Sequence, residues 1–283
     1  VSDATTHPRI LELPREETGL ATSKPAVRRV QQLLPAFLED GVAEAGADGL
    51  VVRLDGSVET AVAAALAVDA VGADRVTGLV MPAQLNDEAP ARDAEAVASI
   101  LDVDYRRLAL QPLLTAFQRV VGTAGSPADD LVAVGNAGER FRMACAYYVA
   151  NTTNRLVVGT VTRTERLLGS VTKYGENGVD LSLFGDLYRT EIRALARDMD
   201  LPEVILDGTR RRTGNAEPTD AEKLGVGQTT LDSLLHFSID EQEPDVAVAE
   251  RVDVDEAVVR RARRWCARTR HKRHQPPKPS MAH

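Results

Sequence analysis

Apolar positions along this chain fall into two rhythms that take turns. Short apolar runs at Gly49–Leu54, 75–81 (Val76, Leu79, Val80), 105–110 and 155–159 (Leu156, Val157, Val158) read as buried strands. Between them, apolar residues recur at helical spacing over 24–44 (Val27, Val30, Leu33, Leu34, Phe37, Val42), 60–71, 93–101, 112–121 and 140–151. Strands alternating with helices predict an α/β fold, a parallel sheet covered on both faces with right-handed crossovers. Residues 169–180 are turn-rich, and a helix over 187–199 is stopped by Leu201-Pro202. Beyond Pro202 no strand is expected. Short helices fall near 220–224 and 231–237, and a regular one spans 253–268, with Asp253 as its cap and Arg260 to Arg264 toward its C-terminal end. The polar, aperiodic 1–23 reads as a flexible arm, 24–275 as one compact domain, and the proline-rich 276–283 as an extended tail.

Composition narrows the classes. The 283 residues can bury a substantial core, and 43% hydrophobic with 27% charged content fits a soluble globular chain. No run approaches the ~18 apolar residues of a membrane span, and no basic-then-apolar leader is visible, so a cytoplasmic location with no membrane partner is expected. The net charge of −8 disfavours nucleic-acid binding. Cys145 and Cys266 lack metal-ligand spacing and read as ordinary buried or half-buried thiols. Only five of the 34 basic residues are Lys, a surface suited to a salty medium.

In an open parallel sheet, ligands bind beyond the carboxyl ends of the strands, where strand order reverses. Three polar loops, 55–59, 81–86 and 160–165, should therefore converge. The first joins a strand to a helix, and backbone N–H groups at a helix N-terminus suit a phosphate. Here the turn also carries two carboxylates, Asp55 and Glu59. Glu59, Glu165, Asp180, Lys173 and nearby hydroxyls would suit a nucleotide with magnesium, which takes one or two carboxylates plus phosphate oxygens and water. Read alone, Glu165 could instead cap a following helix, Arg140 could be a surface charge, Lys173 a loop charge and His271-Lys272 a solvated basic tail.

From Gly159-Thr160-Val161-Thr162-Arg163-Thr164-Glu165 and Thr172-Lys173-Tyr174-Gly175-Glu176-Asn177-Gly178-Val179-Asp180, the chain resembles ammonia-dependent NAD synthetases. The resemblance extends over about residues 25–280, through Met81-Pro82, Gly135-Asn136, Arg140-Phe141-Arg142-Met143, Gly185-Asp186-Leu187-Tyr188-Arg189-Thr190-Glu191 and His271-Lys272-Arg273. It implies an adenine-nucleotide α-hydrolase-like sandwich and a homodimer. It also implies ATP and Mg2+ as cofactors, and deamido-NAD and ammonia as substrates. On that pattern ATP adenylates the nicotinate carboxylate, pyrophosphate leaves, and ammonia displaces AMP to give NAD. By position, Arg53, Leu54, Asp55, Gly56, Ser57, Val58, Glu59 and Thr60 fall on the phosphate loop, and Thr160, Arg189 and Arg211 on ATP contacts. Arg189 stands where the family has Lys. Glu59 and Glu165 fall on the metal carboxylates; Arg140, Lys173, Asp180, His271 and Lys272 fall on deamido-NAD contacts. The catalytic set implied is Glu59, Glu165 and Lys173.

The loop departs from the family's Leu-Ser-Gly-Gly-Ile-Asp-Ser, with Asp55 for Ser, Ser57 for Gly and Thr60 for Ser. A carboxylate at about 4 Å from a phosphate charge costs on the order of 4 kcal/mol at an effective dielectric near 20. Losing a glycine matters where φ is positive. Two further departures are Thr160-Val161-Thr162 and the arginines Arg210, Arg211 and Arg212, which could swing over the site and neutralise Asp55 or a phosphate. The alternatives are a catalytically silent paralogue that binds nucleotide or dimerises, and a related ATP pyrophosphatase acting on another carboxylate or on tRNA. The acidic balance speaks against tRNA.

Overall fold

The structure is a computed structural model that describes residues 13–83, 87–124, 130–199, 201 and 218–279. Five strands form one parallel sheet in the order β3-β2-β1-β4-β5. They are β1 (Gly49–Leu54), β2 (Val76–Val80), β3 (Asp104–Arg107), β4 (Arg155–Gly159) and the two-residue β5 (Leu181–Ser182). The chain winds outward from β1 to β2 and β3, then returns to place β4 on the other side of β1, with Leu50 beside both Val76 and Leu156. The order therefore reverses between β1 and β4. The predicted α/β fold and all four predicted strands are present. β5 follows directly on the turn-rich 169–180, where no strand was expected, and is too short to show a period. β3 is exposed along its whole length, as an edge strand carrying two arginines can be.

Alternation along β1 divides the core. Leu50, Val52 and Leu54 face one side with α1 (Lys24–Ala45), α2 (Val58–Val71), α3 (Glu88–Ile100) and α7 (Arg189–Asp198). Val51 faces the other with Leu79, Val157, α4 (Gln111–Thr123) and α5 (Leu131–Thr153). Helix α2 is buried from Val58 to Ala67, and its alanines, which carry no bulk, let it sit close against β1, α1 and α7. A third cluster joins the short α6 (Arg163–Leu168) to α8 (Asp220–Leu224), α9 (Gln228–Leu235), α10 (Asp245–Val252) and α11 (Glu256–Arg268).

Three expectations need correction. Asp253 does not cap the last helix; it takes a left-handed φ of 54° at the end of α10, and Asp255 caps α11 through Ala257 N–H. The arm expected to be loose is tied down in its described part. Leu20 and Ala21 are buried, and the Glu191 carboxylate accepts Ala21 N–H at 2.8 Å and Arg15 at 3.2 Å. Residues 163–165, expected within the polar loop 160–165, instead open a helix that runs to Leu168, because Thr162 and Glu165 form a capping box.

Candidate active site

Local sequence builds the β1–α2 turn. Gly56 has φ +80°, and a Cβ there would lie 2.7 Å from the Pro90 carbonyl oxygen, so this position requires glycine. Ser57, one residue on, has φ −80° and is the N-cap of α2, its Oγ accepting from Thr60 N–H at 3.3 Å. Loss of the family's second glycine thus costs no backbone strain. Asp55 departs together with Ser57, and the two are partners. Its Oδ1 accepts from Ser57 N–H (3.0 Å), Ser57 Oγ (2.6 Å) and Thr60 Oγ1 (3.0 Å), while Oδ2 lies 3.5 Å from the Arg53 guanidinium. Burial alone would push its carboxyl up, but Arg53 and the hydrogen bonds from Ser57 and Thr60 prevail and hold it below the usual carboxylate range. The carboxylate expected to spoil the loop instead organises it.

The turn opens onto a cavity of about 220 Å³ at the carboxyl ends of β1 and β4, the reversal point. Of the residues expected here, Arg53, Asp55, Ser57, Glu59, Thr160, Glu165 and Arg189 line it. Arg189, the first residue of α7, lies between the two expected metal carboxylates. Its Nη2 donates to Glu165 Oε1 at 2.6 Å, and its Nε sits 3.0 Å from Glu59 Oε1 without hydrogen-bond alignment. Glu165 divides its oxygens between both roles open to it, since Oε2 accepts from Thr162 N–H and Oγ1 and so caps α6. Burial raises its proton affinity against the pull of Arg189, and the neighbouring Glu59 charge adds to the rise.

Three charged residues without an expected role also line the cavity: Glu139, Arg142 and Glu176. Glu139 accepts from Arg53 and Arg142 at 2.5 Å each, and Arg142 also reaches the Met81 carbonyl and Asp87. Glu139, Arg142, Met143 and Ala146 lie three, four and seven positions apart on α5, the spacing of one helix face, and that signal was available in the sequence. Burial, with the Glu139 charge next, pushes the Glu176 carboxyl up to about 7, although its Oε2 accepts from Thr172 N–H.

The five residues expected to contact deamido-NAD do not line the cavity. Lys173, expected to be catalytic, donates its Nζ to the His271 carbonyl at 2.8 Å. Lys272 donates to the Gly169 and Val171 carbonyls, and His271 is exposed beside it. These two ammonium groups tie the 169–178 loop to the final turn, and Lys173, His271 and Lys272 gather where the two meet. Asp180 accepts from Val157 N–H at 2.8 Å and the Tyr147 hydroxyl at 3.0 Å. Arg140 is exposed on α5. Leu54 borders the adjoining recess and Val58 and Thr60 are buried in the turn. Arg210, Arg211 and Arg212 lie outside the described residues.

Glu59 and Glu165 fit one hard divalent cation whose other ligands come from phosphate and water, since they already share a single cationic group. Among the described residues no cluster of three or more His, Cys, Asp or Glu could hold a metal by itself.

Residues 30–276 match the family described as NAD synthase. The chain is 38% identical to the NH(3)-dependent NAD(+) synthetase of Halobacterium salinarum, over 87% of this chain and 91% of that one. It is 34% identical to the protein of that name from Methanosarcina mazei, over 90% and 99%. Among solved structures, the NH3-dependent NAD synthetase from Campylobacter jejuni, in complex with nitrate, shares the fold with a TM-score of 0.74 at 24% identity, covering 90% of this chain and 99% of that one. NMN synthetase from Francisella tularensis aligns with a TM-score of 0.70 at 27% identity over the same shares. The fold is the adenine-nucleotide α-hydrolase-like sandwich, and neither these similarities nor the self-satisfied loop supports a silent paralogue. With the match running through nearly all of its length, the chain belongs to the NAD synthase family.

Proposed function

We propose that the protein amidates the nicotinate carboxylate of deamido-NAD with ammonia, using ATP and releasing AMP and pyrophosphate. The observation that carries this reading is the meeting of a phosphate-type strand–turn–helix, two carboxylates and an arginine at the reversal point of the sheet. A carboxylate is a poor electrophile until its oxygen is made part of a good leaving group. Its attack on the α-phosphorus of ATP forms the acyl–phosphate bond and expels pyrophosphate. Ammonia then attacks the acyl carbon, and AMP leaves with the carboxylate oxygen.

The residues divide this work. The N-terminal end of α2 turns the positive end of its dipole toward the phosphates. Glu59 and Glu165 would hold Mg2+, which when bound neutralises charge building on the departing pyrophosphate. Arg189 is placed to turn from the carboxylates to a phosphate, where its planar fork pairs equally well. Glu176, ionising near neutrality inside the cavity, is suited to take a proton from ammonium. Arg140, Lys173, Asp180, His271 and Lys272 are assigned to the dinucleotide, with Lys173 binding rather than reacting. A homodimer and a cytoplasmic location belong to the same proposal; no helix among the described residues is long and apolar enough to cross a membrane.

The test is incubation of purified protein with ATP, Mg2+, deamido-NAD and ammonium, scored for NAD and AMP in equal amounts. Absence of both products across a broad salt range sinks the proposal.

A further inference from the structure

We infer that Asp55 is a positioning residue that serves as a built-in anion of the phosphate loop. It holds the empty loop in shape, and its charge weakens the grip on departing pyrophosphate. The inference rests on the reading of residues 54–60 as that loop.

Three donors of the turn, Ser57 N–H, Ser57 Oγ and Thr60 Oγ1, converge on the single oxygen Oδ1. Such convergence is what a phosphate oxygen would ask of the same groups. Two of these donors exist only because Ser57 and Thr60 carry hydroxyls near the carboxylate. A glycine at 57 would remove one, so Asp55 and Ser57 form a matched pair. The charge is not cancelled. Arg53 lies 3.5 Å from Oδ2, but the same guanidinium is hydrogen-bonded to Glu139 at 2.5 Å, so it is shared between two carboxylates. The Asp55 side chain is 38% exposed and lines the cavity, so it faces any phosphate held there. A loop organised by a covalently attached anion stays ordered without nucleotide, and it repels a free polyanion once the bond to AMP no longer holds that anion in place.

The test uses the full chain with inorganic pyrophosphate and Mg2+. Asp55→Asn keeps an acceptor for Ser57 and Thr60 and drops the charge; Asp55→Ala drops both. Calorimetric pyrophosphate affinity and hydrogen exchange of amides 55–60 in the nucleotide-free protein are the readouts. Asp55→Asn is expected to bind pyrophosphate roughly tenfold tighter or more with loop exchange unchanged. Asp55→Ala is expected to raise loop exchange on the order of tenfold. Should Asp55→Ala fail to fold, Ser57→Gly supplies the exchange measurement. A purely structural aspartate predicts weaker pyrophosphate binding in both variants, and that result, or unchanged affinity in Asp55→Asn, overturns the inference. Pyrophosphate bound by no form of the protein, with loop protection still dependent on Asp55, would instead remove the phosphate-loop reading on which it rests.

Discussion

Two carboxylates, Glu59 and Glu165, share the guanidinium of Arg189, so removing that guanidinium leaves like charges facing each other in a partly buried site. Arg189→Met is therefore expected to lower ATP affinity by on the order of tenfold to a hundredfold, while Arg189→Lys, which keeps the charge but not the fork, loses less; isothermal titration separates them. Glu176 is the residue that sets a pH dependence. Its carboxyl ionises near pH 7 in the folded protein against an ordinary value of 4.5, so the folded state binds the extra proton between these limits. Its contribution to stability therefore falls as pH rises from about 4.5 to 7, where the unfolded state ionises first. Activity should move the opposite way, rising through pH 7 as the base becomes available. Glu176→Gln should flatten that limb of the ammonium-saturated rate profile and lower its plateau; an unchanged limb assigns the pH dependence elsewhere.

At the scale of elements, the site depends on α6 and α7 keeping their N-termini together, and a carboxylate from α9 holds them. Asp232 is fully buried and accepts from Thr164 Oγ1, Gln228 Nε2, Thr190 N–H and Thr190 Oγ1. Asp232→Ala strands four donors and should cost about 3–5 kcal/mol, read as a lower urea midpoint with an unchanged slope. Asp232→Asn, which keeps one carbonyl acceptor, should cost less. This knot was invisible in the sequence, because residues 164, 190 and 232 come together only through tertiary packing. The same holds for Arg189 between its carboxylates. By contrast β1, α2 and β4 were legible, since period-two and period-3.6 patterns are local properties of buried strands and amphipathic helices. Asp55 was readable as an anomaly but not as a solution. Its sequence signal is the Asp–x–Ser spacing of a turn that ends in a helix cap, a pattern that a glycine-rich loop does not contain.

Across the whole molecule, the charge of −8 with only five lysines predicts that salt is stabilising. Screening of net repulsion should raise the melting temperature steadily with KCl, and an optimum at low salt would falsify this expectation. The placement of Arg189 has a wider consequence. A protein whose metal ligands repel one another when bare commonly needs its ion in order to fold. Here the Arg189 guanidinium lies between the two proposed ligands, so the protein carries its own counter-charge, and its folding is expected not to depend on divalent cations. A chelator should leave the melting temperature of the free protein unchanged while abolishing turnover.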